Sequence, residues 1–299
     1  MPELQKRAKF NRIKAFDVFL YIFMILWAFI TAFPFYNMII TSFANYEAVQ
    51  SQTIYLWPST IDFTAYQMVF EAKNFLSAMG VTVFITVVGT ALGIVISIAG
   101  AYPMSKKSVP GNRIMFYIVI ITMFFSGGMI PTYLIVAQTL KLKDSIWALI
   151  LPSLTGAFNV ILLKNFFEEL PAELEESAKI DGANDLVILF KIVIPMSTPV
   201  IATICLFLAV GKWNEYMNAI LYIMDEYKKP LQLVLRNVLN NASNTLSGVA
   251  QAKASQEKPF YNLSLQMAIV TIATIPILLV YPFVQKYFTA GIMLGAVKG

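Results

Sequence analysis

The chain has 299 residues and a formal charge of +5, is 58% hydrophobic by a count that leaves glycine out, and is only 13% charged. Soluble domains carry about 25% charged residues, so this composition excludes a charge-covered soluble globule and indicates a membrane protein. The 23 Phe, 14 Tyr and 4 Trp exclude a disordered chain, the single Cys205 excludes a disulfide scaffold, and the lack of histidine excludes His-ligated metal, haem with an axial His and a Ser-His-Asp triad.

A helical span needs roughly 20 apolar residues. Six stretches qualify and predict an all-α polytopic bundle organised as one transmembrane domain over residues 1–299: Phe16–Ile40, Leu76–Tyr102, Ile114–Val136, Ile146–Phe167, Thr198–Ile223 and Leu265–Phe288. The first follows a basic flank of Lys6, Arg7, Lys9, Arg12 and Lys14. Its apolar run is too long for a signal-peptide core and lacks an A-x-A site, so it reads as an uncleaved helix. With the N-terminus cytoplasmic, that flank joins Lys106, Lys107, Arg113, Lys164, Lys179, Lys191, Lys286 and Lys298 on the cytoplasmic side, against Lys73, Lys141 and Lys143 in the short external links. The asymmetry satisfies the positive-inside rule and puts both termini in the cytoplasm. It also explains the +5 without any nucleic-acid partner.

Small residues mark three of these helices. In the second span Gly89, Gly93, Ser97 and Ala101 recur every four residues, a seam that lets another helix approach closely. The third carries Gly127, Gly128 and Pro131, and the fourth carries Pro152 and Gly156. Such features suit close packing and equally suit a moving part.

Between the fourth and fifth spans, residues 168–195 hold the most informative segment. Pro171 suits a first helical position, Glu173, Glu175 and Glu176 complement the helix dipole, and Gly182 suits a left-handed stop. A short helix of about ten residues follows from those signals. Asn184 or Asp185 can cap a second helix whose Leu186, Ile188, Leu189 and Phe190 are expected to bury against the bundle, with Pro195 at its end. An acidic first limb is poorly matched to the anionic inner leaflet and is better matched to a basic protein partner.

The fifth span contains Lys212, Trp213, Asn214, Glu215 and Tyr216. Ionisable groups inside a span usually mark function, and this cluster combines aromatic, amide and carboxylate groups. The same residues also suit a Lys-Glu pair snorkelling at the outer interface beside a belt aromatic. The external segment 225–261 is polar and rich in turn formers around Asn240–Ser247. It reads as a loosely ordered loop. The chain ends on Gly291, Gly295, Val297, Lys298 and Gly299, a glycine-rich tail over 289–299. No P-loop is present, since the nearest approach at Gly211-Lys212 has Leu206 and Trp213 at the remaining key positions.

The order Glu176-Ser177-Ala178, three residues, Gly182, nine residues, then Ile192-Val193-Ile194-Pro195 resembles the EAA motif of ABC importer permeases. Ser177 and Ile194 are mild departures from it. The Val-Lys-Gly ending is similar to the tail of carbohydrate importer permeases, above all the smaller permease of the maltose importer and permeases for complex or uronate oligosaccharides. That resemblance implies a type I importer (MetI-like) fold with a cytoplasmic coupling helix, and a non-enzymatic gate in the bacterial inner membrane working by alternating access. It implies that Glu173, Glu176, Ser177, Ala178, Asp181 and Gly182 meet an ATPase subunit, with Glu176 facing a basic residue and Ala178 and Gly182 permitting a close fit. Gly295, Val297, Lys298 and Gly299 would enter the interface of two ATPase subunits, unless they are a frayed terminus. Trp213, Asn214, Glu215 and Tyr216 would line the sugar path. The implied partners are a second, non-identical permease, two ATPase subunits, an extracellular or periplasmic solute-binding protein touching 225–261, and membrane lipid. No metal or cofactor is expected in this chain, because ATP and Mg would sit on the ATPase. The rival expectation is an ion-coupled secondary transporter, which would carry ionisable groups near the midplane and need no ATPase.

Overall fold

The computed structural model describes residues 15–44, 56–57, 61–71, 74–237, 240 and 263–279, and every described element is helical. In chain order these are α1 Ala15–Ser42, α2 Thr64–Glu71, α3 Phe75–Ser105, α4 Asn112–Phe124, α5 Met129–Thr139, α6 Trp147–Ile150, α7 Ala157–Glu168, α8 Ala172–Ile180, α9 Asp185–Met196, α10 Thr198–Trp213, α11 Met217–Tyr222, α12 over 231–237, and α13 Leu263–Leu279. Two compact units emerge, one drawn from Met1–Tyr66 with Glu257–Thr271 and the other from Gln67–Gln256 with Ile272–Gly299.

In the first unit, α1 is apolar on all sides and exposed over most of its length, with Phe19, Phe23 and Trp27 in a stacked row and Thr41 and Ser42 buried at its end. A helix hydrophobic all round belongs in hydrocarbon or in a covered interface. Its C-terminal end is fixed by polar contacts: the Ser42 and Tyr66 hydroxyls share a 2.7 Å hydrogen bond, and Ser264 donates to the Ala44 carbonyl at 2.8 Å.

The second unit is built on α3, which packs most extensively against α10 and α7. The reason lies in the four-residue seam. Gly89, Gly93, Ser97 and Ala101 are all buried, and a Cβ on Gly93 would collide with the Leu154 carbonyl oxygen. The seam therefore admits backbone where a larger side chain would block it. Ser97 and Thr155 hydroxyls meet at 2.5 Å on the same face. One core cluster joins Ala101, Met104, Leu163, Phe167, Ile188 and Ile204, and a second joins Val81, Ile85, Leu149, Ile150, Ala219 and Leu233.

Three spans expected to run unbroken do not. The third divides at 125–128, where Gly127 and Gly128 let α4 and α5 bend by 112°. The fourth is non-helical over 151–156, a stretch that contains Pro152 and ends on Gly156. The fifth stops at Trp213 and resumes only at Met217. A further bend of 82° separates α9 from α10 at Ser197, between Pro195 and Pro199, whose missing N–H groups interrupt the backbone ladder. Among the described residues α1 and α3 are each long and apolar enough to cross a membrane, or four spans if each bent pair counts as one. The sixth span, expected over 265–288, is described only to Leu279.

Non-helical backbone at membrane depth must find partners inside the protein. Lys212 provides them for the break in the fourth span. Its ammonium donates to the carbonyls of Leu149 and Ile150, both at 2.9 Å, and to Ser153 Oγ at 2.8 Å. The side chain is only 3% exposed, and its methylenes lie 3.1 Å from where a Cβ on Gly89 would sit. Of the two readings the sequence left open, the snorkelling Lys-Glu pair is not formed: Lys212 is turned inward, and Glu215 binds elsewhere.

Candidate functional site

Two groups of predicted residues are brought together, one at each end of the second unit. The first is the elbow of α8 and α9. Pro171 sits at the cap position immediately before α8 rather than at its first helical position, and Glu173 and Glu175 fall in the first turn. Gly182 takes φ +81, the left-handed region where glycine carries no Cβ penalty. There its N–H donates to the Lys179 carbonyl at 3.0 Å, and Ala183 donates to the Ala178 carbonyl at 2.9 Å. Asn184 then caps α9, its side-chain oxygen accepting from the Val187 N–H at 2.9 Å. Lys179 and Asp185 span the corner at 3.6 Å.

The two faces of α8 differ. Glu173, Glu176, Ser177 and Ile180 follow helical spacing and are all exposed, as are Asp181 and Gly182 in the turn. Ala178 lies on the opposite side, packed against the core, so its small size serves the fit of α8 to its own bundle. Glu175 shares that inner side and pairs with Lys106 at the end of α3. The Lys106 ammonium also stands 4.8 Å from the centre of the Tyr102 ring, whose hydroxyl donates to the Asp185 carbonyl at 3.3 Å. Lys106 and Tyr102 thus bind both limbs of the elbow to one helix end.

Burial in α9 splits the expected set. Ile188 and Leu189 are buried, whereas Leu186 is 65% exposed and Phe190 64% exposed. Those two are four apart and share a face, so α9 can bury only one of the two apolar pairs. With Ile180, 86% exposed, they give the acidic elbow an apolar fringe. Sequence reasoning missed Ile180, although an isoleucine amid Glu, Lys and Asp is the signal that could have found it.

The second group lies where α10 ends. Trp213 is buried and its indole N–H donates to the Ala273 carbonyl at 3.2 Å. Glu215 is occupied by Asn218 in the first turn of α11, accepting from its backbone N–H at 3.0 Å and its amide at 2.8 Å. Asn214 and Tyr216 are the exposed members. Gln232 donates to the Asn214 side-chain oxygen at 3.2 Å, and the Arg236 guanidinium stands 5.0 Å from the centre of the Tyr216 ring. Gln232 and Arg236 come from α12, in a segment read from the sequence as loop. Leu231, Leu233 and Leu235 are buried, but their spacing of two is that of a strand, so the sequence carried no clear helical signal here. The Leu231 N–H donates to Thr82 Oγ1 at 2.8 Å, fastening this segment to α3.

Beside this group, Asp144 accepts from the backbone N–H groups of Met224 at 3.1 Å and Asp225 at 3.0 Å and pairs with Lys228 at 3.2 Å. The two backbone donors hold the Asp144 carboxyl below the usual carboxylate range, and the bond to Asp144 pushes the Lys228 ammonium up. Among the described residues no three His, Cys, Asp or Glu side chains converge as metal ligands would. The tail residues Gly295, Val297, Lys298 and Gly299, and the part of the external segment from 241 to 261, lie outside the described residues.

Residues 89–294 match the family described as binding-protein-dependent transport system inner membrane component. The chain is 46% identical over 286 residues to the polygalacturonan/rhamnogalacturonan transport system permease protein YtcP of Bacillus subtilis (strain 168), covering 96% of this chain and 99% of that one. It is 45% identical over 288 residues to protein LplC of the same organism, covering 96% of each. Among solved structures, a chain of a bacterial ABC transporter involved in the import of the acidic polysaccharide alginate superposes with a TM-score of 0.81 at 33% identity, covering 93% of this chain and 98% of that one.

Proposed function

Since the chain belongs to the family of binding-protein-dependent transport system inner membrane components, we propose that it forms one half of the translocation pathway of an ATP-driven importer for acidic oligosaccharides. It is the permease component of a sugar or oligosaccharide ABC importer, a membrane subunit and not a catalytic one. Residues 1–299 act as a single permease domain, with both termini on the cytoplasmic side. A second, non-identical permease supplies the other half, two ATPase subunits bind ATP and Mg, and an external solute-binding protein delivers cargo onto segment 225–261. The tail over 289–299 reaches between the ATPase subunits.

The observation that carries this reading is the elbow. Glu173, Glu176, Ser177 and Ile180 point outward on a helix that Lys106, Tyr102 and Ala178 hold rigidly to the bundle. An acidic stripe with an apolar fringe at Ile180, Leu186 and Phe190 suits a basic cleft with an apolar floor, and a rigidly held helix transmits a push. Closure of the ATPase pair on ATP then moves α8 together with α3, and the cavity switches sides.

Acidic cargo is supported by relatives named for polygalacturonan/rhamnogalacturonan and alginate and by the mouth of α10. There Tyr216 offers a ring face, Asn214 and Gln232 offer amides for hydroxyls, and Arg236 offers a fork for a carboxylate. The test is uptake by the whole importer of paired oligosaccharides with free and with methyl-esterified carboxyls, together with co-purification of a nucleotide-hydrolysing subunit. Uptake should favour the free acid, and Arg236→Gln should remove that preference. Transport that proceeds without any ATPase would point instead to ion coupling.

A further inference from the structure

At the elbow end of the second unit, beside the Lys106 tether, a cavity of about 510 Å³ opens between the ends of α3, α4 and α7. Its polar walls are Lys107, Asn112, Arg113, Lys164 and Glu168, and its apolar walls include Phe116 and Tyr117. Three cations against one carboxylate leave a net positive pocket. The single carboxylate is already engaged, because Glu168 accepts from Lys164 at 2.7 Å, and the Lys164 ammonium also stands 4.4 Å from the centre of the Phe116 ring. Lys107 and Arg113 are exposed and have no acidic partner among the described residues. The N-terminal end of α4, which favours negative charge, opens on the same cavity.

Leading away from the pocket along α4, Ile114, Tyr117, Ile118 and Ile121 are all more than half exposed. Their spacing of three, four and seven places them on one helix face. A charged pocket at the membrane surface that continues into an apolar stripe fits one amphiphile: a molecule with an anionic head and a hydrocarbon tail. We propose that this cavity binds the phosphate headgroup of an anionic phospholipid of the inner leaflet, with an acyl chain lying along the Ile114–Ile121 face of α4. Basic pockets between spans on the cytoplasmic side have this chemistry. The placement rests on reading the elbow end as cytoplasmic. Lipid held there would brace the α3–α4 turn beside Lys106, so that the coupling elbow is anchored to the leaflet as well as to the bundle.

The experiment uses the intact importer in mild detergent, titrated with short-chain phosphatidylglycerol and followed by native mass spectrometry. Wild type should retain phosphatidylglycerol in preference to phosphatidylcholine, and Lys107→Gln/Arg113→Gln should weaken that retention by about fivefold per charge removed. Both residues are exposed, so folding should be unaffected, and co-purification of the partner permease reports this. Inorganic phosphate in place of lipid should not compete. Effective competition would make the site one for a free anion and overturn the proposal, as would equal lipid retention by wild type and variant. Loss of the ATPase subunit with lipid retention unchanged would assign the patch to a protein contact, which also overturns it. A wild-type preparation that carries no ATPase would count against the importer reading and leave the lipid comparison intact as a separate result.

Discussion

Lys106, the residue just past the end of α3, forms an ion pair with Glu175 on the inner face of α8, so the elbow is tied to the longest helix of the bundle by a contact that faces inward from the acidic stripe. The exposed acidic face and the face tied to the bundle are thus opposite sides of one nine-residue helix, the separation that the proposed docking and force transmission would use.

Breaking the tether should uncouple without undocking. Lys106→Glu is expected to keep the ATPase subunits bound but to lower substrate-stimulated ATP hydrolysis, and the swap Lys106→Glu/Glu175→Lys should restore part of it. A partly buried pair of this kind is worth about 1 kcal/mol, so the double-mutant cycle should show a coupling of roughly fivefold. Strict additivity of the two single effects would refute the tether.

Reversing charge on the outer face should do the opposite. Glu176→Lys and Ile180→Asp are each expected to lower the affinity for the ATPase subunit by tenfold or more, about 1.4 kcal/mol, while the permease pair stays assembled. Pull-down of the ATPase at graded concentration measures this. Normal uptake in the Glu176→Lys variant would remove the elbow from the docking surface.

Gly93→Ala should be costly and Gly80→Ala should not. A Cβ at Gly93 meets the Leu154 carbonyl, whereas nothing lies within 4 Å of one at Gly80. Overpacking of this sort costs about 1–3 kcal/mol, while an alanine in an open helical position gains up to about 1 kcal/mol. Thermal unfolding in detergent should separate the two variants, and equal midpoints would mean that the seam is not tight.

Lys212→Met should destabilise the break in the fourth span. It strands the carbonyls of Leu149 and Ile150 and the Ser153 hydroxyl, at about 1–3 kcal/mol for a buried polar group left without its partner. Uptake should fall while ATPase docking is retained. A substrate-binding lysine would instead change KM with stability unaltered, which makes the two roles separable.

The clasp at the other end should be sensitive to acid. The carboxyl pKa of Asp144 is depressed in the folded chain, so its contribution is fully present above the ordinary carboxylate value of about 4 and is lost as pH falls through the lower folded value. Lys228 is raised, so its contribution holds below the ordinary lysine value and is lost only above it. Amide exchange at Met224 and Asp225, normalised for intrinsic rates, should therefore be slow between those limits and quicken on acidification. Asp144→Asn should remove the acid limb.

Much of this was legible in the sequence because it rests on composition and spacing. The apolar runs located α1 and α3, the four-residue small-residue seam located the tightest packing, and Gly182 with Asn184 located the elbow and its cap. What was not legible depended on long-range contact. Glycine and proline are common in membrane helices, so Gly128 and Pro152 could not by themselves announce breaks. Lys212 could not be placed without knowing that Leu149 and Ile150 end a helix beside it, and Arg236 could not be assigned to Tyr216 across a segment taken for loop. Leu186 and Phe190 were expected inside because they are apolar, yet a helix lying on a surface can bury only one side.

The acceptors that Lys212 uses precede it in the chain by 59 to 63 residues. At about 5–20 residues per second of synthesis, Leu149, Ile150 and Ser153 leave the ribosome several seconds before the lysine does. When α10 enters the bilayer, its charged end meets carbonyls already made in the fourth span, which offsets part of the cost of setting an ammonium among apolar residues. Order of birth is thus part of the design: in a circular permutant that made α10 first, insertion of that helix would be the step to fail.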